Sequence, residues 1–277
     1  MWVTPLGTDL FEKLYIYFSK KVIFDLEDNL LVNNNISKKN NPNKIISLLK
    51  SPNKQYTLIK ESDYVITSSP ELEKICRRIN RKNNAKFITS SVDINKFVPK
   101  NYTNKKVVIG WTGTFSSKEY LESIEDILQE LAIDNQFELH IIGNFEYQLK
   151  NVDLKVKQWS LDEEIEQMQC LDIGLYPLPL NDWVQGKSGL KAIQYMAFGI
   201  PTIATKVGNT PNIITDHQEG ILVNKKEEWI TAIKELILDN NLRKEMGYKA
   251  RKKAINKYSL ETVSKSYAKI LNLCTED

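Results

Sequence analysis

Short apolar segments alternate with longer amphipathic segments from Val107 onward. The short segments are rich in valine and isoleucine and end at glycine, proline or asparagine, which is typical of buried strands. The longer segments place apolar residues at the spacing of one helix face. Because parallel strands need crossover helices, the alternation predicts a doubly wound parallel α/β sheet. The strand-like segments are KVVIGW, FELHIIGN, LDIGLYPL, IPTIAT and GILV.

The first hundred residues repeat this pattern more weakly. KVIFDL, DYVITSS and AKFIT look like strands, and ELEKICRRIN looks like a helix. NNNISKKNNPNK has the composition of a loop, and Ser91 to Lys106 has that of a linker. We therefore expect a partial N-terminal domain over residues 1–100, a second domain over 101–257, and a C-terminal helix over 258–277 that packs back toward the first domain.

Composition excludes several classes of protein. Of 277 residues, 42% are apolar and 26% are charged, which is typical of a globular chain, and no apolar run is long enough to span a membrane. The net charge of +3 does not indicate nucleic-acid binding, and aromatic residues are not interleaved with the basic ones. Cys76, Cys170 and Cys274 lack metal-site or disulfide spacing. We expect a cytoplasmic protein without a metal site.

A glycine-containing loop follows the strand-like VVIGW. Glycines such as Gly113 allow the backbone to approach a phosphate, and Thr114 and Lys118 could add hydrogen bonds. The alternative is structural, with Ser116 or Ser117 as a helix N-cap and Gly113 as a turn. The spacing matches neither a P-loop nor the GxGxxG fingerprint.

The stretch GKSGLKAIQYMAFGIPTIAT predicts a helix from about Ser188 to Gly199. Lys187 and Lys191 are four residues apart, so they project over one face near the start of this helix. Two positive charges are unfavourable there, and a bound anion would resolve the conflict. The alternative is a pair of solvated lysines on an exposed turn.

Together these motifs resemble the nucleotide-sugar-binding half of family 4 glycosyltransferases of the GT-B fold. The resemblance rests on VVIGWTGT, IIGN, LDIGLYPLPLNDW, GKSGLKAIQYMAFGIPTIATKVG and EGILV, and covers about residues 105 to 270. KVIFDLEDNLL, DYVITSSPELEKI and SSVDINKFVP are similar to the later part of that family's acceptor domain. The resemblance implies a GT-B architecture with a truncated Rossmann-like N-terminal domain.

The resemblance also implies roles for individual residues. The loop after the first donor-domain strand contacts the donor's phosphates, and the lysine-containing helix meets the diphosphate and then the ribose. Two glutamates common in the family are replaced by Gly186 and Gln194. By position the donor-binding residues are Gly113, Thr114, Lys118, Ser188, Gly189 and Gln194, with Lys187 and Lys191 as catalytic candidates.

The implied reaction is a retaining transfer of a sugar from a nucleoside diphosphate sugar to a hydroxyl of a glycan, lipid-linked or cell-envelope saccharide. Lysines and helix N–H groups would stabilise the leaving diphosphate without a metal, and the nucleotide sugar is a co-substrate, so no cofactor is expected. The first βα units of the acceptor domain are not matched, so the chain is either a short form or begins within a longer reading frame. The alternative function is a nucleotide-sugar-binding pseudo-enzyme or partner subunit.

Four further polar residues have weaker claims. His140, inside FELHIIGN, is expected to be packed or hydrogen-bonded, and His217 is expected in a surface turn. Asp25 and Asp28 follow an acceptor-side strand and could approach the cleft or cap the next turn.

Two tryptophans and two basic runs complete the candidates. Trp159 could pack against a nucleobase or in the core, and Trp183 could border the sugar site. CRRINRK and RKEMGYKARKKAINK are either solvated helix faces or surfaces for anionic lipid headgroups at the inner face of the membrane.

Overall fold

The computed structural model describes residues 9–29, 53–101, 104–134 and 136–275. Two parallel β-sheets flanked by helices run through these residues. The chain is therefore an α/β protein with parallel sheets, which confirms the fold class predicted from the alternating pattern. The Asn-rich stretch 33–44, predicted to be a loop, lies outside the described residues.

Strands and helices alternate along the chain as the pattern predicts, but the strand Asp153–Gln158 was not among the predicted strand-like segments. The strands are β1 Ile23–Leu26, β2 Tyr64–Thr67, β3 Ala85–Phe87, β4 Val107–Thr112, β5 Phe137–Gly143, β6 Asp153–Gln158, β7 Ile173–Tyr176, β8 Thr202–Thr205 and β9 Gly220–Val223. The helices are α1 Leu10–Phe18, α2 Asn53–Glu61, α3 Pro70–Ile79, α4 Lys118–Glu122, α5 Glu125–Asp134, α6 Glu164–Gln169, α7 Asp182–Gln185, α8 Leu190–Ala197, α9 Thr210–Ile213, α10 Lys226–Leu238, α11 Asn240–Lys253 and α12 Leu260–Thr275. None of the helices in the described residues combines the length and apolar character needed to cross a bilayer.

The first compact unit comprises the chain up to Thr89, Asn181–Ser188 and the residues from Ser264 onward. Its sheet has the order β1-β2-β3 with all strands parallel. Apolar side chains of the strands, α2 and α3 form its core, because one face of each element is apolar. The core residues are Leu26, Ile59, Val65, Leu72, Cys76 and Ala85.

Helix α3 begins where the sequence supplies a cap. The Ser69 hydroxyl accepts a hydrogen bond from the Leu72 N–H at 3.3 Å, and Pro70 occupies the first helical position. Glu71 and Glu73 lie in the first turn, where they complement the helix dipole. These residues fix the connection from the carboxyl end of β2 into α3.

The second unit comprises Ser90–Leu180 and Gly189–Val263. Its six parallel strands have the order β6-β5-β4-β7-β8-β9. The chain builds outward from β4 in one direction and then returns to add β7 on the other side. Ligands of open α/β sheets bind beside the carboxyl ends of the strands at such a reversal.

Helix α8 ends in a Schellman motif. The Gly199 N–H donates to the Met196 carbonyl at 3.0 Å, and the Ile200 N–H donates to the Tyr195 carbonyl at 2.9 Å. Gly199 has φ +67°, a conformation that glycine adopts without strain. Pro201 then leads into β8, so the predicted helix end is confirmed.

The predicted linker, Ser91 to Lys106, packs with the second unit where it is described. The Val92 N–H donates to the Tyr258 carbonyl at 2.8 Å. Arg251 donates to the carbonyls of Phe97 at 2.5 Å and Ile94 at 2.7 Å. The domain limits drawn from the sequence, 1–100, 101–257 and 258–277, stay a prediction.

Candidate functional site

The carboxyl ends of β4 and β7 flank the point where the second sheet reverses its order. Tyr195, on α8, anchors that helix beside them. Its ring is fully buried over Gly174, where a side chain would collide with the ring, and its hydroxyl accepts the Thr112 N–H at 3.1 Å. Burial raises the pKa of this phenol, so it stays protonated. The contacts hold α8 beside the carboxyl edge of the sheet.

Helix α8 begins at Leu190, two residues after the predicted start. Gly189 is the N-cap and has φ +79°, so Ser188, the predicted start, lies before the helix. A side chain at position 189 would also collide with Ile213. The sequence therefore needs glycine there for both backbone conformation and space.

Lys191 projects from the first turn of α8. Its Nζ lies 3.4 Å from the Thr112 hydroxyl at the end of β4. Gln194 follows one turn later, on the same side of the helix, and is half-buried. The two predicted residues Lys191 and Gln194 are thus together near the carboxyl ends of the central strands.

Most backbone N–H groups of the loop after β4 are already paired. The N–H groups of Gly113, Thr114 and Phe115 donate to the Ile142 carbonyl, the Ser117 hydroxyl and the Asn144 side chain, at 3.0, 3.1 and 2.9 Å. The exposed Thr114 hydroxyl lies 2.9 Å from that of Ser116. Contact with a phosphate would therefore use side chains of this loop rather than those three amides.

Lys118 has partners close to this loop. Its Nζ lies 3.0 Å from Glu122 and 5.6 Å from the ring centre of Tyr147. Because its side chain is only 31% exposed, these neighbours hold it near the start of α4.

Lys187 packs within the first unit, whereas Lys191 belongs to the second. Its Nζ lies 4.0 Å from Asp28 and 5.5 Å from the ring centre of Trp183. Asp28 follows β1. This aspartate therefore lies beside a lysine that is predicted to be catalytic.

Two further carboxylates lie at this end of β1. Burial raises the pKa of Asp25, and the Tyr267 hydroxyl donates to it at 3.0 Å. Burial, with help from Asp28 and Asp25, also raises the pKa of Glu27, while Lys187 opposes the change. The carboxyl end of the first sheet is therefore acidic and includes one lysine.

Gly186 has no room for the glutamate that is common in the resembled family. A Cβ atom at position 186 would lie 3.1 Å from the backbone nitrogen of Asn29 and would collide with that residue's side chain. Asn29 is 3% exposed, and its Oδ1 has no hydrogen-bond partner among the residues that the structure describes. The absence of a glutamate at position 186 therefore agrees with the close packing of Gly186 against Asn29.

A profile described as "Glycosyl transferases group 1" matches residues 92–253, more than half of the 277-residue chain. The chain belongs to this family. It is 34% identical over 70 residues to D-inositol 3-phosphate glycosyltransferase of Corynebacterium diphtheriae. That alignment covers 24% of this chain and only 16% of the relative's length.

Solved structures show that the fold of this chain is similar to that of GT-B glycosyltransferases. It resembles sucrose-phosphate synthase of Thermosynechococcus elongatus with a TM-score of 0.71 and 16% identity, over 96% of this chain and 70% of that one. Its similarity to Anabaena HepE, solved with UDP and glucose, has a TM-score of 0.64 and 16% identity, over 79% and 65% of the chains.

The structure decides three of the predictions for tryptophan and histidine residues. Trp159 is 50% exposed beyond the end of β6, so the core alternative is wrong. His140 is buried, and its Nε2 lies 3.0 Å from Glu138, as expected for a packed residue. Burial lowers the pKa of His140, which keeps it neutral. His217 is exposed in a turn, as predicted.

Several basic side chains of the two basic runs have partners inside the protein. Arg81 pairs with Glu61 at 2.6 Å, and Lys253 pairs with Glu219 at 3.0 Å. Arg243 donates to the carbonyls of Leu236 and Ile237. These pairings favour the structural interpretation of the runs. Within the described residues, no group of three or more His, Cys, Asp or Glu side chains could hold a metal ion.

Sequence reasoning missed three residues that shape these two regions. The sequence pattern does not indicate the bond between Tyr195 and Thr112, and in FDLEDN only Asp25 and Asp28, not Glu27, were considered as candidates. Tyr267 lies 242 positions from its partner Asp25. The acidic run FDLEDN carried a signal for Glu27, whereas no local pattern indicates the Tyr267 contact.

Proposed function

We propose that this group 1 glycosyl transferase is a retaining, metal-independent enzyme that moves a sugar from a nucleoside diphosphate sugar to a hydroxyl of a saccharide acceptor. The leaving diphosphate gains negative charge in the transition state, so fixed cations and helix N–H groups lower the barrier. We assign that role to Lys191 and Lys187, with Ser188 and Gly189 at the start of α8.

The observation that carries this proposal is the position of Lys191. It lies on the first turn of α8, against Thr112 at the end of β4, in the part of the chain that matches the family. A helix N-terminus at the carboxyl edge of a parallel sheet favours anions. We assign Gln194 to the ribose, and the side chains of Thr114 and Lys118 to the phosphate end of the donor. Gly113, whose N–H already donates to the Ile142 carbonyl, contributes there only by leaving space beside the backbone.

Uridine nucleotides are the first donors to test, because HepE was solved with UDP and glucose. We assign the exposed Trp159 to the nucleobase and Trp183 to the sugar side. The acceptor is a glycan, a lipid-linked saccharide or a cell-envelope saccharide, and the protein acts in the cytoplasm or at the inner face of the membrane. Nucleic acid is not among its partners.

Calorimetric titration tests the donor site. We expect UDP and UDP-glucose to bind with and without EDTA, and Lys191→Ala to weaken UDP binding by roughly 10-fold or more, as for loss of a charge-assisted hydrogen bond. Lys234→Ala is the matched control, since Lys234 is exposed on α10, in the same unit. If no nucleoside diphosphate or its sugar binds the folded protein, the proposal fails.

A second candidate is a nucleotide-sugar-binding pseudo-enzyme or partner subunit. The packing of Gly186 against Asn29 favours it, because the carboxylate that commonly contacts the transferred sugar has no place there. UDP-glucose binding without hydrolysis or transfer to any saccharide acceptor would support it. Release of UDP on addition of an acceptor would reject it in favour of the enzyme.

A further inference from the structure

Asn144 follows β5 and presents its side chain in one orientation. Its Oδ1 accepts the Phe115 N–H at 2.9 Å. Because a backbone N–H can only donate, the oxygen of the amide must face Phe115 and the NH2 group must face away. Asn144 is exposed, and among the residues that the structure describes none accepts a hydrogen bond from this NH2 group. Asn144 therefore offers an oriented donor at the carboxyl edge of the second sheet.

Trp159 lies beside this donor. The strand order β6-β5-β4 makes the ends of β6 and β5 neighbours, at the usual strand spacing of about 5 Å. The Trp159 N–H donates to the carbonyl of Gly143, the residue before Asn144, at 2.8 Å. The Trp159 side chain is 50% exposed, so part of its ring is open to a ligand. Adjacent loops thus supply an exposed aromatic ring and an oriented amide.

The residues where these two strands end are uncharged. They are Gln158 to Ser160 on β6 and the loop after it, and Gly143 to Phe145 on β5 and the loop after it. The ammonium groups that we assign to the diphosphate, on Lys118 and Lys191, belong to α4 and α8. A diphosphate needs such cations, whereas an aromatic ring packs against a flat face and an amide binds a polar edge. A nucleobase has both a flat face and a polar edge, so it matches this pair of side chains.

We infer that Asn144 selects the nucleobase of the donor: its NH2 group donates to a carbonyl oxygen on the base edge farthest from the ribose, while the base lies against Trp159. The inference rests on the proposed function and adds to it the class of donor. Uracil and thymine have such a carbonyl, O4, and guanine has O6. Cytosine and adenine have an amino group there, which would set two donors against each other. The expected donors are therefore uridine, thymidine or guanosine diphosphate sugars.

The bond to Phe115 makes Asn144 selective. An unrestrained asparagine amide could flip and present its oxygen to an amino group instead. A flip here would set the NH2 group against the Phe115 N–H and break that bond. Phe115 is itself held in the turn after β4, where the Ser117 N–H donates to the Thr114 carbonyl at 2.9 Å. The base is therefore recognised by a donor whose orientation the neighbouring loop fixes.

Calorimetric titration of the folded chain with UDP and CDP tests the inference, because these nucleotides share the ribose and diphosphate and differ in the base. We expect the wild type to bind UDP roughly 10-fold more tightly than CDP, or better, the scale of one unpaired donor in a binding site. Asn144→Ala should weaken UDP binding by about 5-fold to 10-fold and CDP binding far less. If only purine nucleotides bind, GDP and ADP replace this pair, since they carry a carbonyl and an amino group at the corresponding position.

Asn144→Asp is the decisive variant. The carboxylate still accepts the Phe115 N–H, but its second oxygen is an acceptor, so the preference should reverse in favour of CDP. The added charge repels the diphosphate of both nucleotides, so the ratio of the two dissociation constants reports the base contact. Asn241→Asp is the matched control and should keep the wild-type ratio, since Asn241 is exposed on α11 of the same unit. Circular dichroism checks that all variants fold.

Several results would overturn the inference and leave the proposed function standing. They are a wild type that binds CDP as tightly as UDP or more tightly, an equal loss of both in Asn144→Ala, and a preference for UDP that persists in Asn144→Asp. An equal loss would mean that Asn144 contacts the ribose or the diphosphate, or only supports Phe115. If no nucleoside diphosphate binds the folded wild type, the proposed function fails, and this inference fails with it.

Discussion

The carboxyl end of β1 in the first unit and that of β4 in the second offer opposite chemistry. The first has the carboxylates of Asp25, Glu27 and Asp28. The second has glycine, threonine hydroxyls and the ammonium of Lys191. Carboxylates repel a diphosphate and accept hydrogen bonds from hydroxyls, whereas an ammonium attracts the diphosphate. The same strand-to-loop architecture thus presents a cation that would attract an anion in one unit, and carboxylates that would accept hydrogen bonds from hydroxyls in the other.

The largest expected effect comes from removing Tyr195, which anchors α8 beside the end of β4. Tyr195→Ala deletes a fully buried ring that packs over Gly174 and should lower the free energy of unfolding by about 3–5 kcal/mol. Urea denaturation followed by circular dichroism measures the change. Tyr195→Phe keeps the ring but leaves the buried Thr112 N–H unpaired, and should cost about 1–3 kcal/mol. Equal losses in the two variants would contradict this account of the ring.

The next effect compares the two lysines. UDP binding should weaken by roughly 10-fold or more in Lys191→Ala, but by less than about 5-fold in Lys187→Ala. Lys187 lies beside Asp28, and its charge also acts on Glu27, so part of its attraction for a diphosphate is already offset. Calorimetry on both variants gives the ratio. A larger loss in Lys187→Ala would reverse the comparison.

The alternating pattern predicted the parallel sheets because strand and helix periods are local properties of the sequence. It also predicted the GIP helix end, since the left-handed glycine and the following proline are themselves the signal. The start of α8 was placed two residues early because Gly189 replaces the usual polar cap. The pairing of Lys187 with Asp28 spans 159 positions and depends on tertiary packing, which no local pattern encodes.

A smaller effect tests whether Asp28 offsets the charge of Lys187. Asp28→Asn removes a charge 4.0 Å from Lys187, so UDP affinity should rise by about 2-fold to 3-fold, the scale of a partly exposed ion pair. The gain should disappear in the Lys187→Ala background and shrink in 0.5 M salt, where screening is stronger (Debye length roughly 4 Å). Asp162→Asn, an exposed change of equal charge, should leave the affinity unaltered. A loss of affinity in Asp28→Asn would show that Asp28 positions Lys187 instead.

The smallest effect is a pH dependence of stability. Burial and neighbouring carboxylates raise the pKa of Glu27 in the folded protein, so its ionisation disfavours folding. The stability of the wild type relative to Glu27→Gln is therefore highest below the unfolded-state pKa, and falls as the pH rises through the folded-state value. We expect Glu27→Gln to gain less than about 1 kcal/mol at pH 7, because water still reaches this carboxylate, and nothing at pH 3.

Glu228 provides a control of opposite sign for this measurement. The N–H groups of Asn224 and Lys225 donate to its carboxylate and lower its pKa, so its contribution to stability is present at neutral pH and is lost on acidification. Glu228→Gln should therefore lose stability at pH 7 and match the wild type at pH 3. Urea denaturation midpoints of both variants at pH 7 and pH 3 measure these changes. If both variants change in stability in the same direction, the pKa of Glu27 is not raised at the carboxyl end of β1.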